Sequence, residues 1–109
     1  MYYQSMTTST AVRLDAIRRV GKALADPTRA AILLALLDGS RYPAELVDEL
    51  GVTKQTVSNH LACLRDCGLL DVRHEGRSSY YRLAHPEATD ELLATGARLV
   101  GLAAPEEVG

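Results

Sequence analysis

The stretch Pro43–Cys67 most constrains what this chain can fold into, because it encodes two short helices with a fixed bend between them. Leu46, Val47 and Leu50 recur at helical spacing. Gly51 follows where a helix ends in a left-handed residue, a conformation glycine adopts without a Cβ clash. Val52 is placed to pack the turn, and Thr53 to cap the next helix. In that second helix Val57, Leu61 and Leu64 form one stripe at the spacing of a core-facing surface. Its other side presents Lys54, Gln55, Thr56, Ser58 and Asn59. These side chains bind phosphate or read base edges, and they cluster at the helix N-terminus, the end that enters the major groove in a helix-turn-helix. Any solvated helix has a polar outer face, but turn, cap and cluster agree here on double-stranded DNA as the partner.

The residues that follow extend this reading. Gly68 stops the helix, Leu69–Glu75 alternates like a strand, Gly76–Ser79 turns, and Tyr80–Leu83 returns as a second strand. A helix-turn-helix followed at once by a β-hairpin is a winged helix. Arg77 falls at the wing tip, where an arginine can enter the negative potential of an A·T-rich minor groove.

The net charge of −2 is unusual for a DNA-binding chain, so its distribution matters. Residues 11–29 carry five basic and two acidic groups, and residues 53–82 five and three. Residues 38–50 carry one basic and four acidic groups, and residues 84–109 one and five. The expected recognition helix and wing are thus locally positive, and binding follows the local field. At 109 residues the chain is one domain, its core built from Leu, Ile, Val and Ala because it has no Trp and no Phe. Two cysteines without a secretory leader point to a reducing, cytoplasmic setting and not to a disulfide framework. The longest apolar run, Ala30–Leu37, is too short to cross a bilayer, so no membrane association is expected.

The flanking segments read as helices that support a homodimer. Ala11–Ala25 carries Ile17, Val20 and Leu24 on one face. Asp26-Pro27 opens the next helix, Pro27–Asp38, as N-cap and first helical residue. That helix is apolar almost all round, hence central, and Gly39 ends it. His85-Pro86 opens a last helix over Glu87–Ala103 before Pro105, with Ala94, Gly96, Ala97, Gly101 and Ala103 permitting close helix approach beside Leu93 and Val100. The expected fold is mainly α with a two-stranded β-wing, a homodimeric winged helix-turn-helix over residues 11–104. Residues 1–10 and 105–109 are expected to be flexible tails.

Across nearly its whole length the chain resembles the ArsR/SmtB family of metal-responsive winged-helix repressors. The resemblance is carried by Leu24-Ala-Asp-Pro-Thr-Arg29, Val57-Ser-Asn-His-Leu61, Gly68-Leu-Leu70, Glu75-Gly-Arg77 and Tyr81. It implies a homodimer joined through the first and last helices, bound to an inverted-repeat operator when metal-free and released by metal. It also implies that His60 lies on the recognition helix and contacts DNA or makes a local hydrogen bond. The family's arsenic-type site needs cysteines in the helix before the turn, and Glu45–Leu50 has none. The zinc-type site on the last helix needs several histidines, and the matching region offers only His85 with Glu87 and Arg98. His85 and Glu87 read instead as a loop-to-helix cap.

Cys63 and Cys67 remain. Four apart on one helix, they share a flanking stripe with Thr56 and His60. Two soft thiolates at this spacing can chelate a thiophilic ion such as Cd²⁺, Pb²⁺, Hg²⁺ or Cu⁺. Asn59–Gly68 resembles the cadmium/lead-sensing branch of the family, which adds a further C-terminal cysteine absent from this chain. A third donor would have to come from His60, a partner carboxylate or water. Free cysteine is also among the most buried residue types, so the pair equally suits simple packing.

Three classes of function are therefore distinguished. The first is a repressor released by a thiophilic metal. Its alternative is a winged-helix regulator controlled by a non-metal effector, a redox change or a protein partner. The second is a winged helix whose surface binds another protein, the DNA face being merely inherited, against which Gln55, Thr56, Ser58, Asn59 and Arg77 argue together. The third is an enzyme, which the sequence disfavours, since it shows no phosphate loop, nucleophile–base pair or carboxylate dyad.

Overall fold

The computed structural model describes residues 7–102. Its elements run α1 (Thr8–Leu24), α2 (Pro27–Leu36), α3 (Pro43–Leu50), α4 (Lys54–Asp66), β1 (Leu70–Glu75), β2 (Ser78–Leu83) and α5 (Pro86–Leu99). This is the winged helix-turn-helix order expected. Asp26 caps α2 by accepting from the Thr28 and Arg29 N–H groups at 2.8 and 3.1 Å, with Pro27 at the first helical position. Gly51 takes φ 67°, ψ 32° and donates its N–H to Val47 O at 2.9 Å, so the bend between α3 and α4 is the left-handed cap that glycine permits.

The core lies where α2, α3, α4 and the base of the wing meet. Ile32, Leu33 and Leu36 of α2, Leu46 of α3 and Val57, Leu61 and Leu64 of α4 are buried with Leu70 and Leu83. The strands pair antiparallel, Leu70 opposite Leu83 and Val72 opposite Tyr81, and this face meets the helices. Arg41 adds a single-residue bridge to Tyr81, with N···O distances of 3.0 and 2.8 Å. The segment entering α3 is thereby tied to the wing.

Several boundaries differ from expectation. Helix α1 begins at Thr8, where the Thr7 hydroxyl accepts from the Thr10 N–H at 3.1 Å. Helix α2 ends at Leu36, its last turn tightened by bonds from Leu37, Asp38 and Gly39 to carbonyls three residues back. Leu34 is exposed, so α2 is not apolar-covered all round. Strand β2 begins at Ser78, which shortens the wing loop to Gly76-Arg77. Helix α5 ends at Leu99, and Gly101, at φ 73°, turns the chain away. Ala103 and Pro105, expected at this helix's end, lie outside the described residues, as do residues 1–6 of the expected N-terminal tail.

The terminal helices give little to the core: Ala23 belongs to it, and Leu24 and Leu93 pack against it. Only Ala23 of α1 and Thr89 of α5 are buried, while Val12, Ile17, Leu99, Val100 and Leu102 are exposed. The Cα radius of gyration is 16.0 Å, against about 13 Å for a compact chain near this length. No helix among the described residues is long and apolar enough to cross a membrane.

Candidate nucleic-acid interface

Helix α4 is set by its N-terminus. The Thr53 hydroxyl accepts from the Thr56 N–H at 3.1 Å and donates to the Thr56 hydroxyl at 2.8 Å. Thr56, half-buried, is therefore part of the cap, set apart from the exposed cluster formed by Lys54, Gln55, Ser58 and Asn59. Within that cluster Gln55 Nε2 donates to Asn59 Oδ1 at 2.9 Å. The two amides are thus paired with each other, and this bond engages neither the Gln55 carbonyl oxygen nor the Asn59 NH₂. A carbonyl acceptor beside an amide donor is the functional pair that base edges in the major groove can match.

The wing tip is the two-residue loop Gly76-Arg77. Gly76 has φ 61° and no described non-glycine residue has positive φ, the pattern of a type II′ hairpin turn. This tight turn leaves Arg77 exposed at the tip. His74, given no role from sequence, pairs across the strands with the Ser79 hydroxyl at 2.8 Å.

His60 is separated from the exposed cluster. Its ring lies on the inward-leaning flank of α4, with Nε2 3.4 Å from Asp26 Oδ2 and Nδ1 3.4 Å from an Arg29 guanidinium nitrogen. Of the two roles expected for it, the described geometry displays the local contact. Arg29 also donates to Ala23 O at 3.2 Å and Lys22 O at 2.6 Å. One histidine thus joins the recognition helix to the end of α1 and the start of α2. From sequence Asp26 is a cap alone and Arg29 has no role beyond its place in the motif Asp-Pro-Thr-Arg, the signal for this contact. The Asp26 carboxyl is held below its ordinary value, first by the Arg29 N–H and further by the Thr28 N–H and the His60 and Arg29 charges, against a desolvation that raises it.

Cys63 and Cys67 lie on the same flank, one and two turns beyond His60, with Cys67 as the C-cap of α4. Both are half-buried free thiols. Burial pushes the Cys67 thiol up, and the neighbouring Cys63 thiol raises it further, while Lys22 and Arg19 pull it back. Those basic residues belong to α1 and line, with Asp15, Arg18, Gly21, Asp66 and Cys67, an open groove of about 560 Å³. Cys67 thus lines the groove between the recognition helix and α1, with Cys63 one turn earlier on the same helix. Two adjacent soft donors suit a thiophilic ion. Among the described residues no group of three His, Cys, Asp or Glu side chains is placed to hold a metal, so His60 does not complete a three-donor set. His85 occupies the N-cap of α5, but its side chain makes no capping hydrogen bond, in contrast to the cap expected of it.

A helix-turn-helix with an exposed polar recognition face and a two-stranded wing tipped by arginine defines the winged-helix transcriptional regulators. More narrowly, the chain belongs to the bacterial regulatory proteins of the arsR family, whose pattern residues 26–72 match. It is 56% identical over 73 residues to the HTH-type transcriptional regulator CmtR of Mycobacterium tuberculosis, an alignment covering 67% of this chain and 62% of CmtR. The NMR structure of the cadmium metal-sensor CmtR from that organism superposes with a TM-score of 0.59 at 53% identity, covering 68% of this chain and 76% of that one. A homodimeric winged helix-turn-helix DNA-binding domain from Mycobacterium bovis superposes with a TM-score of 0.72 at 31% identity, covering 87% of this chain and 92% of that one. The chain spans about three fifths of the length of the curated CmtR relatives it matches.

Proposed function

We propose that this chain is a cytoplasmic transcriptional repressor that binds an inverted-repeat operator in double-stranded DNA as a homodimer and is released by a thiophilic metal ion such as Cd²⁺ or Pb²⁺. The observation that carries the DNA reading is the position of Lys54, Gln55, Ser58 and Asn59, all exposed at the N-terminal end of α4 beside a wing that displays Arg77. The supporting field is local: basic residues of α4 and the wing neutralise phosphates even though the chain as a whole is acidic.

The homodimer reading rests on the exposed Val12, Ile17, Leu99, Val100 and Leu102 of the terminal segments. A second copy packed on these helices would remove their exposed apolar side chains from water. It would also set two recognition helices about one DNA turn apart. A homodimeric relative of the same fold supports this assembly.

The release reading rests on Cys63 and Cys67. Cys63 and Cys67, as thiolates, would hold a soft ion, which would supply Lewis-acid coordination and a positive charge on this flank of α4. The residues then act through position: the pair sits on the helix that reads DNA, one and two turns beyond His60, with Cys67 lining the groove beside α1. Restraining this flank biases both the recognition helix and the dimer helix. A coupling free energy of about 1–3 kcal/mol is enough for release. The cadmium metal-sensor CmtR supports a soft metal as the inducer. The absence of a third donor among the described residues favours a second reading, in which the same winged helix answers a non-metal effector, a redox change or a protein partner.

The experiment is a mobility shift with DNA from upstream of the chain's own gene at low salt. Saturable binding to a fragment containing an inverted repeat, with unrelated DNA of equal length competing weakly, supports the proposal. Equal competition by any DNA contradicts it.

A further inference from the structure

On the outer face of the wing, Tyr42 at the start of α3 meets two residues of the hairpin. Its ring stands edge-on to Tyr80, with centroids 5.7 Å apart and planes at 66°. Its hydroxyl donates to Glu75 Oε1 at 3.2 Å. Both contacts join groups distant in sequence. They therefore govern how the hairpin leans on the helix-turn-helix more than whether either forms.

Glu75 is the last residue of β1 and adjoins the Gly76-Arg77 tip. A carboxylate beside the arginine meant to approach DNA is an electrostatic liability. Glu75 is two residues from Arg77 along the chain, so at low salt, where charges are least screened, it repels the same phosphates that Arg77 attracts. A donor that holds this carboxylate to the α3 side would relieve the repulsion and orient the tip at once. We infer that Tyr42 is a positioning residue for the wing, its hydroxyl holding the Glu75 carboxylate against α3 and so directing the Gly76-Arg77 tip toward DNA.

The inference rests on the DNA-binding reading given above. The state of the phenol agrees with it. The bond to Glu75 raises the Tyr42 hydroxyl above its ordinary value, with smaller contributions from burial and the Glu75 charge, so the group stays a neutral donor. Arg41, the preceding residue, reinforces the geometry, because its backbone bridge to Tyr81 fixes the segment entering α3 to the wing's other strand.

The test measures DNA affinity at low and high salt for the wild type, Tyr42→Phe, Glu75→Gln and the double variant. Tyr42→Phe keeps the ring contact and loses only the hydroxyl. It should weaken binding about two- to tenfold, the range of one net hydrogen bond, and the penalty should shrink as salt screens the freed carboxylate. Adding Glu75→Gln should restore affinity, because no charge is left to repel phosphate. A Tyr42→Phe chain that binds like the wild type, or a loss that Glu75→Gln does not restore, overturns the inference. Ultraviolet pH titration of Glu75→Gln gives a check that needs no Tyr42 variant: one tyrosine should ionise at lower pH than in the wild type, and an unchanged titration overturns the inference. A wild-type chain that binds no DNA at low salt is a distinct result, which overturns the DNA-binding reading and this inference with it.

Discussion

His60 Nε2 on the recognition helix lies 3.4 Å from Asp26 Oδ2, the oxygen that caps α2. An Arg29 guanidinium nitrogen lies 3.4 Å from its other ring nitrogen, so the imidazole is held between the cap of α2 and a side chain of α2 itself. The contact makes the pose of α4 depend on the junction of α1 and α2.

Replacing His60 with Ala should therefore lower the melting temperature and weaken DNA binding without changing the preferred sequence. Altered sequence preference with unchanged melting would instead make His60 a base-reading residue. Asp26 adds a pH dependence of known sign. Its folded value lies below the ordinary 3.8. Its stabilising contribution is full above that ordinary value and is lost as pH falls through the depressed one. Melting temperature should fall more steeply below about pH 4 in the wild type than in Asp26→Asn, which keeps a cap without a titrating charge.

The paired amides of α4 should set sequence choice. Gln55→Ala should cost about 1–3 kcal/mol of operator affinity and relax specificity locally. Because Gln55 and Asn59 are hydrogen-bonded, the double variant should lose less than the sum of the single losses. Arg77→Ala should weaken binding and reduce its salt dependence. Competition binding across randomised sites measures all three.

Much of this arrangement was legible in the sequence because it is local. The Asp26-Pro27 cap, the left-handed Gly51, the Val57–Leu61–Leu64 stripe and the wing glycine each follow from a few adjacent residues. The start of α1 was missed because Thr8, Ser9 and Thr10 have no apolar rhythm, although Thr7 is a good cap. The end of α5 was overrun because Gly101 was read as a small packing residue when its φ of 73° makes it a terminator. The pairings of His60 with Asp26 and of Tyr42 with Glu75 are tertiary. No periodicity reports which polar groups meet once helices and hairpin pack.

In the proposed homodimer the terminal helices carry the assembly. Val100→Asp would place an unpaired charge in the apolar surface formed with Leu99 and Leu102. The variant should sediment as a monomer and lose operator binding while its circular dichroism stays largely helical. A wild-type chain that sediments as a monomer at micromolar concentration would refute the dimer.

The most direct measurement follows operator-bound protein by fluorescence anisotropy while Cd²⁺ is added, for the wild type, Cys63→Ser and Cys67→Ser. The wild type should leave the DNA as a thiolate–metal charge-transfer band grows in the near ultraviolet. Each serine variant should bind DNA as tightly as the wild type and stay bound at the same metal concentrations. Release of both variants at the wild-type concentration would contradict the account, leaving Cys63 and Cys67 as packing residues of a DNA-binding protein whose inducer acts elsewhere.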